Sequence, residues 1–428
     1  MLQTERLTRV LGTFGLAAAI VNITIGGGIF RLPASVAGSL GAAAPLAYLV
    51  CAIAMGLIVL CIADAGSRVS LTGGPYAYVG TAFGPYAGFV AGLMLWMLGT
   101  FAWAAVSTVF ASAIGLLVPA LGGAVAKMAV LAAVFTFWAA INLRGVELAS
   151  RLNTVATLAK LAPLVLIGVG GLFFVRSENL VWTSTPAAAD VARTSLLLIF
   201  AFAGVECALV PSGEVRNPSR TVPRAIAVAM IGITALYLSL QVSAQGILGA
   251  ALATSTAAPL ADAANASFGP WARTLLLVGA AVSMFGYLGG MAFSIPRMLY
   301  AFARDGFLPP ALASVSGSSH APAAAIVVQS VIALALAMSG TFEWLAVLAN
   351  VSALVLYLGC ALAAWQLRRA NISTEGATPF NVPLGGVLPW ITCAVIAWLL
   401  TGLTRDEWIG FGVCLAIGSA LYALRRNR

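Results

Sequence analysis

Lys160 is one of two lysines in 428 residues, and it lies inside an apolar stretch. It falls nine residues past Arg151, roughly 14 Å further along a helix. Burial penalises an ammonium ion, so a lysine there can gain and lose a proton near neutrality and couple that exchange to a change of shape. The competing reading is a side chain that snorkels to the membrane surface. Glu206 is a second ionisable group in apolar surroundings. Three roles are open to it: relaying a proton, recognising a cation, or hydrogen-bonding exposed backbone.

The other chemistry on offer is that of bare backbone. Gly26-Gly27-Gly28 is a run in which helix is weak and a ligand can approach the main chain closely. Phe202-Ala203-Gly204-Val205-Glu206, followed by Pro211-Ser212-Gly213, is another. A lone glycine among the 44 of this chain reads as helix packing. Three in succession do not, because packing motifs space small residues a turn apart. Both segments are therefore expected to interrupt helices, and they lie five apolar segments apart, in the first and the sixth. Interrupted helices at matching places in two halves point to a transporter's binding site.

Other site chemistries lack material. His320 is the only histidine and belongs to a loop, and the six cysteines (Cys51, Cys61, Cys207, Cys360, Cys393, Cys414) sit in apolar segments without metal-ligand spacing. They read as small buried hydrophobes. No metal site, organic cofactor or enzyme activity is expected. Asp64 reads as the partner of Arg68 one turn on. Glu214, Arg216, Arg220, Arg224, Arg304 and Asp305 read as loop charges available for ion pairs.

The elements that must position these residues are membrane spans. The chain is 61% hydrophobic and 8% charged, against roughly a quarter charged in soluble domains. Apolar runs without alternation predict helices rather than a barrel, near 11–33, 41–66, 85–118, 126–143, 152–175, 193–213, 224–248, 272–303, 321–340, 342–368, 386–404 and 407–424. The fold expected is an all-α membrane protein of about twelve spans forming one domain. The net charge of +9 is spread over short connections, which excludes a nucleic-acid face. Placing the N-terminus inside puts fifteen arginines on the cytoplasmic side against six basic residues outside. Both termini are then cytoplasmic. Arg6 and Arg9 precede an apolar run too long for a cleaved leader, which is read as the retained first span.

Five motifs in order carry a resemblance. They are Gly26-Gly27-Gly28-Ile29-Phe30, Gly73-Gly74-Pro75-Tyr76, Asn142-Leu143-Arg144-Gly145, Glu214-Val215-Arg216-Asn217-Pro218 and Ala303-Arg304-Asp305-Gly306-Phe307-Leu308-Pro309. With these the chain resembles the amino acid–polyamine–organocation superfamily of permeases over nearly its whole length. The resemblance implies a five-plus-five inverted repeat with discontinuous helices 1 and 6. It places the first repeat at 11–175, the second at 193–368 and two additional helices at 386–424. It also implies secondary transport in the cell membrane, with an amino acid and the lipid bilayer as partners and a proton as the coupling ion.

A helix restarting at Gly28 offers N–H groups and a positive dipole end to a carboxylate, and carbonyls where a helix stops can hold an ammonium. By resemblance, the backbone from Gly26 through Gly27, Gly28 and Ile29 takes the carboxylate. Carbonyls around Thr24, Phe200, Ala201 and Ala203 take the amine, and Phe202 is the aromatic gate. Relatives often have Ser or Thr where this chain has Gly27, so a hydroxyl contact is missing. In proton-coupled members a lysine on span five stands near span one, the place Lys160 matches. The expected activity is proton-coupled symport of small neutral L-amino acids. The alternative is an amino acid or polyamine exchanger in which Glu206 recognises a cation. Which amine is carried and the oligomeric state stay open.

Overall fold

The computed structural model describes residues 12–69, 75–144, 161–182, 184–204, 218–304, 306–315, 321–373, 379–380, 382 and 384–426. All regular structure among them is helical. The first apolar segment forms two helices, α1 (Thr13–Thr24) and α2 (Gly28–Leu40). The end expected near residue 33 moves outward: Pro33 lies inside α2, and the helix stops only at Gly41, whose φ of 54° favours a residue without a side chain. Pro33 has no N–H to give the Ile29 carbonyl one turn back.

The helices α3 (Ala44–Arg68), α4 (Pro75–Phe83), α5 (Pro85–Leu117), α6 (Ala124–Arg144) and α7 (161–169) follow. Then come α8 (Ala188–Phe202), α9 (Pro218–Leu248), α10 (Pro259–Phe268) and α11 (Pro270–Arg304). The last four are α12 (Ala323–Ser339), α13 (Phe342–Arg369), α14 (Leu388–Leu400) and α15 (Arg405–Arg426).

Among the described residues, six helical stretches are long and apolar enough to cross a membrane, Pro85–Leu117 and Phe342–Arg369 among them. The pair α14 and α15 is bent by 118° at its connection. Phe14, Val125 and Phe173 are 81%, 82% and 87% exposed, on an outer surface far too apolar for water. Hydrocarbon is the solvent such a surface fits.

The order of elements recurs. A long helix, a short helix and a second long helix appear as α3, α4 and α5, and again as α9, α10 and α11. The joints match in detail. Phe83-Gly84-Pro85 and Phe268-Gly269-Pro270 each end a short helix with a glycine at φ 90° or 91°, and each starts the next helix on proline. Only glycine adopts that turn without strain, and proline suits a helix's first position, where no N–H is needed. Neither α4 nor α10 was expected from the sequence.

The core lies where α5 packs against α13 and α11, and where α3 and α9 enclose α1 and α8. Trp103, Tyr48, Tyr237 and Tyr357 are fully buried there. Two polar ties set the position of α8. Asn350 on α13 donates to the Leu196 and Leu197 carbonyls at 2.7 and 3.1 Å. Arg193 donates to both oxygens of Glu407, at 2.6 and 2.8 Å, and to the Gly402 carbonyl. Glu407 also accepts from the Thr404 amide at 2.8 Å, a capping box that begins α15. Its carboxylate is buried while Arg193 is partly exposed, so removing it strands one buried network. Glu407→Ala is expected to lower unfolding free energy by about 1–3 kcal/mol, and Glu407→Gln by less. Thermal unfolding in detergent measures both.

Candidate functional site

The first helix break is built from backbone. The last regular bond of α1 runs from the Ile25 amide to the Val21 carbonyl at 3.0 Å. Ile25 then turns out of the helix at ψ 82°, and the Gly26 amide closes back onto the Thr24 carbonyl at 2.8 Å. The chain re-enters helix at Gly28, which places the Gly28 and Ile29 amides in a first turn, where N–H groups have no partner a turn earlier. Glycine is required here by crowding. A Cβ on Gly27 would stand 2.8 Å from Val106 Cγ1 and 3.1 Å from Met284 Cγ, and one on Gly28 would stand 2.8 Å from Phe200 Cδ1. Gly26 is roomier, with the Tyr287 ring 3.6 Å away.

The second expected break falls where α8 stops, and residues 205–217 beyond it lie outside the described ones. The Ala203 amide bonds the Ile199 carbonyl at 2.9 Å, Ala203 itself is extended at ψ 151°, and Gly204 takes φ 118°. This leaves the Phe200, Ala201 and Phe202 carbonyls at the negative end of α8.

One side chain joins the two breaks. Tyr237 of α9 places its hydroxyl 3.0 Å from the Ala201 carbonyl and 3.3 Å from the Thr24 carbonyl, so a single donor faces the ends of both α8 and α1. Its ring stacks edge-on against Phe202 at 5.2 Å and Tyr48 at 6.5 Å. The Tyr48 hydroxyl in turn donates to Gln241 at 3.1 Å. Thr24 Oγ1, at the break itself, is buried without a hydrogen-bond partner among the described residues.

The two phenylalanines of α8 divide their work. Phe200 covers Gly28 and meets Phe342 edge-on at 5.5 Å. Phe202 is fully buried against Tyr237 instead. The ring over the glycines is therefore Phe200, while Phe202, which resemblance makes the gate over the substrate, packs on Tyr237. Beyond it Arg31 of α2 lies 5.9 Å over Phe342 and pairs with Glu343 at 3.1 Å. Gly28, Phe200, Phe342 and the Arg31–Glu343 pair thus form a continuous stack from the break to one end of α13. The break is sealed from the surface, with Ile29 and Phe202 wholly buried and Thr24 2% exposed.

Electrostatically, two negative helix ends and one positive helix start converge on a small volume. Such a site can hold a cation and an anion a few ångströms apart without any charged side chain. The structure brings together Thr24, Gly26, Gly27, Gly28, Phe200 and Ala201, with Phe202 linked through Tyr237 and Ala203 just beyond the helix end. Lys160 and Glu206 lie outside the described residues, as do Gly73, Gly74, Gly145, the 214–217 segment, Asp305 and His320. Asp64 pairs with Arg68 at 3.1 Å as expected. It also accepts from Arg368 of α13 at 2.9 Å, a partner 304 positions away. Tyr237, Phe200's contact with Gly28, and Arg368 were all missed by reading along the chain.

Comparison with known proteins places the geometry in context. Residues 11–404 match the family described as amino acid permease. The methylthioribose transporter of Bacillus subtilis (strain 168) is 26% identical over 99% of this chain and 94% of its own length. A serine/threonine exchanger of the same organism is 27% identical, covering 97% of this chain and 95% of that one. The branched-chain amino acid permease of Lactococcus lactis subsp. cremoris (strain MG1363) is 24% identical over 99% and 96%.

Proposed function

The chain belongs to the amino acid permease family, and from that premise we propose that it is a proton-coupled symporter of small neutral L-amino acids working by alternating access. The observation that carries the reading is the convergence of the Thr24 and Ala201 carbonyls, through one Tyr237 hydroxyl, beside a helix that restarts at Gly28. The amine would sit against the carbonyls of Thr24, Phe200, Ala201 and Ala203. The carboxylate would take the amides of Gly27, Gly28 and Ile29, with Gly26 giving the chain its bend. Phe200 would be the ring that closes over the ligand, and Phe202 would brace Tyr237. Val106, Met284, Tyr287, Phe200 and Leu32 are side chains against the glycines, and all are uncharged, which suits a substrate whose own side chain is uncharged.

In this reading the chain is a twelve-span protein of the cell membrane with cytoplasmic termini and two five-helix repeats. The paired Phe-Gly-Pro joints before α5 and α11 support the repeats. The protein transports rather than catalyses and needs no cofactor. Lys160, by moving a proton, would be the coupling group, with Glu206 as a secondary titrating or gating residue.

The test is uptake of labelled amino acids into proteoliposomes under an imposed pH gradient. Wild type should accumulate substrate above equilibrium, and Lys160→Ala should abolish accumulation while leaving counterflow. Uptake that ignores the gradient yet needs internal substrate would replace symport by exchange, the mode named for the serine/threonine relative.

A further inference from the structure

Between α5, α11, α12 and α15 lies a cavity of about 300 Å³ that shares none of its lining with the glycine break. We propose that it is a binding site for one acyl chain of a membrane phospholipid. A cavity of about 150 Å³ lined by Leu, Ile and Phe stays dry and takes up benzene, so this one offers roughly twice that apolar room.

Its polar lining is already spent. The Thr100 hydroxyl donates to the Trp96 carbonyl at 2.8 Å and accepts from Gln329 at 3.0 Å, and the Trp96 indole N–H donates to Gln329 at 2.9 Å. A zwitterion or a sugar would find nothing to bond, so the occupant is a hydrocarbon. The cavity also opens sideways. Ile417 lines it and is 58% exposed on the same apolar surface that faces the bilayer, so lipid has direct entry.

Charge gives the orientation. Leu299 and Phe302 lie in the last turns of α11 before Arg304, and Gly418 and Leu421 precede Arg425 and Arg426 at the end of α15. Two of the four lining helices, α11 and α15, finish on arginine toward the Phe307–Tyr422 end of the cavity, and that basic charge suits the anionic headgroup of a lipid whose tail enters there. Phe307, stacked on Tyr422 at 5.6 Å and tilted on Phe89 at 4.5 Å, lines that end of the cavity.

The experiment uses the full chain in phosphatidylcholine liposomes doped with phosphatidylglycerol that carries a diazirine in one acyl tail. After irradiation and digestion, peptides holding Leu299–Phe302 and Cys414–Leu421 should carry more label than those around exposed Phe173. Cys414→Phe places a ring in the cavity and should lower labelling at the α11 peptide about tenfold, by occupying the volume a tail needs. Labelling around Phe173 should not change. Leu336→Phe fills the same cavity from α12, so a folding failure of one variant leaves the other to decide. Uniform labelling around the belt overturns the proposal, as does unchanged α11 labelling in a variant that elutes and melts like wild type.

Discussion

Gly28→Val should reduce amino acid uptake in proteoliposomes to background while the protein still inserts and purifies. The added Cβ would lie 2.8 Å from Phe200 Cδ1, in a ring held edge-on by Phe342, so the collision is not relieved by a side-chain swing. Either α2 shifts away from α8 or the ring leaves the break. In both cases the amides of the first turn lose their aim at a carboxylate. Hydrogen bonds to a charged group are worth about 1.5–3 kcal/mol each, so losing two costs about 3–6 kcal/mol. That is on the order of 10²–10⁴ in affinity.

Gly26→Ala is the internal control, since its Cβ would sit at an ordinary 3.6 Å from Tyr287, and it should change uptake only a few-fold. Gly27→Ser restores the hydroxyl that resemblance leads one to expect, but its Cβ falls 2.8 Å from Val106 Cγ1. Alone it should impair uptake, and Val106→Ala should recover part of the loss. The ligand-induced rise in melting temperature follows affinity by mass action and should fall in the same order. A Gly28→Val protein with wild-type uptake and wild-type ligand shift would remove the glycines from the site.

What could be read along the chain was whatever is local. Three adjacent glycines predicted an interruption of the first span, because no packing motif asks for them side by side, and the interruption falls between Thr24 and Gly28. Long apolar runs predicted α5, α6 and α13 to within a residue or two. The segment beyond residue 33 was misread, since α2 runs on through Pro33 and its real stop is the positive φ of Gly41. The short helices α4 and α10 went unseen although a Phe-Gly-Pro phrase marks the end of each.

Partners across the fold were out of reach for a different reason. Tyr237 is one aromatic residue in an apolar helix, and nothing beside it in sequence says that its hydroxyl meets carbonyls 36 and 213 positions away. Phe200 and Phe202 differ by two residues, about 200° around a helix. Resemblance could name the neighbourhood, while only packing against Gly28 and Tyr237 shows which ring faces which way.

Tyr237→Phe is the second large effect expected, and it separates a bound ligand's seat from a mere brace. The substitution keeps the ring, and with it the edge contacts to Phe202 and Tyr48, so the fold around α9 should survive. What it removes is the one hydroxyl donor placed between two carbonyls that are otherwise sealed from water, Thr24 and Ala201 each being 2% exposed. Leaving buried acceptors without that donor costs about 1–3 kcal/mol. The penalty falls on the conformation in which the two helix ends meet. If those carbonyls also receive the substrate amine, the lost alignment should lower uptake and binding by roughly tenfold to a hundredfold. The ligand-induced melting shift should shrink with it. A brace alone predicts another pattern, in which the unliganded protein melts earlier but the shift on adding substrate is undiminished. Measuring the melting temperature of both proteins with and without the best substrate decides between them. Because the two negative helix ends are held to one point by that hydroxyl, an undiminished shift would mean the amine is bound elsewhere.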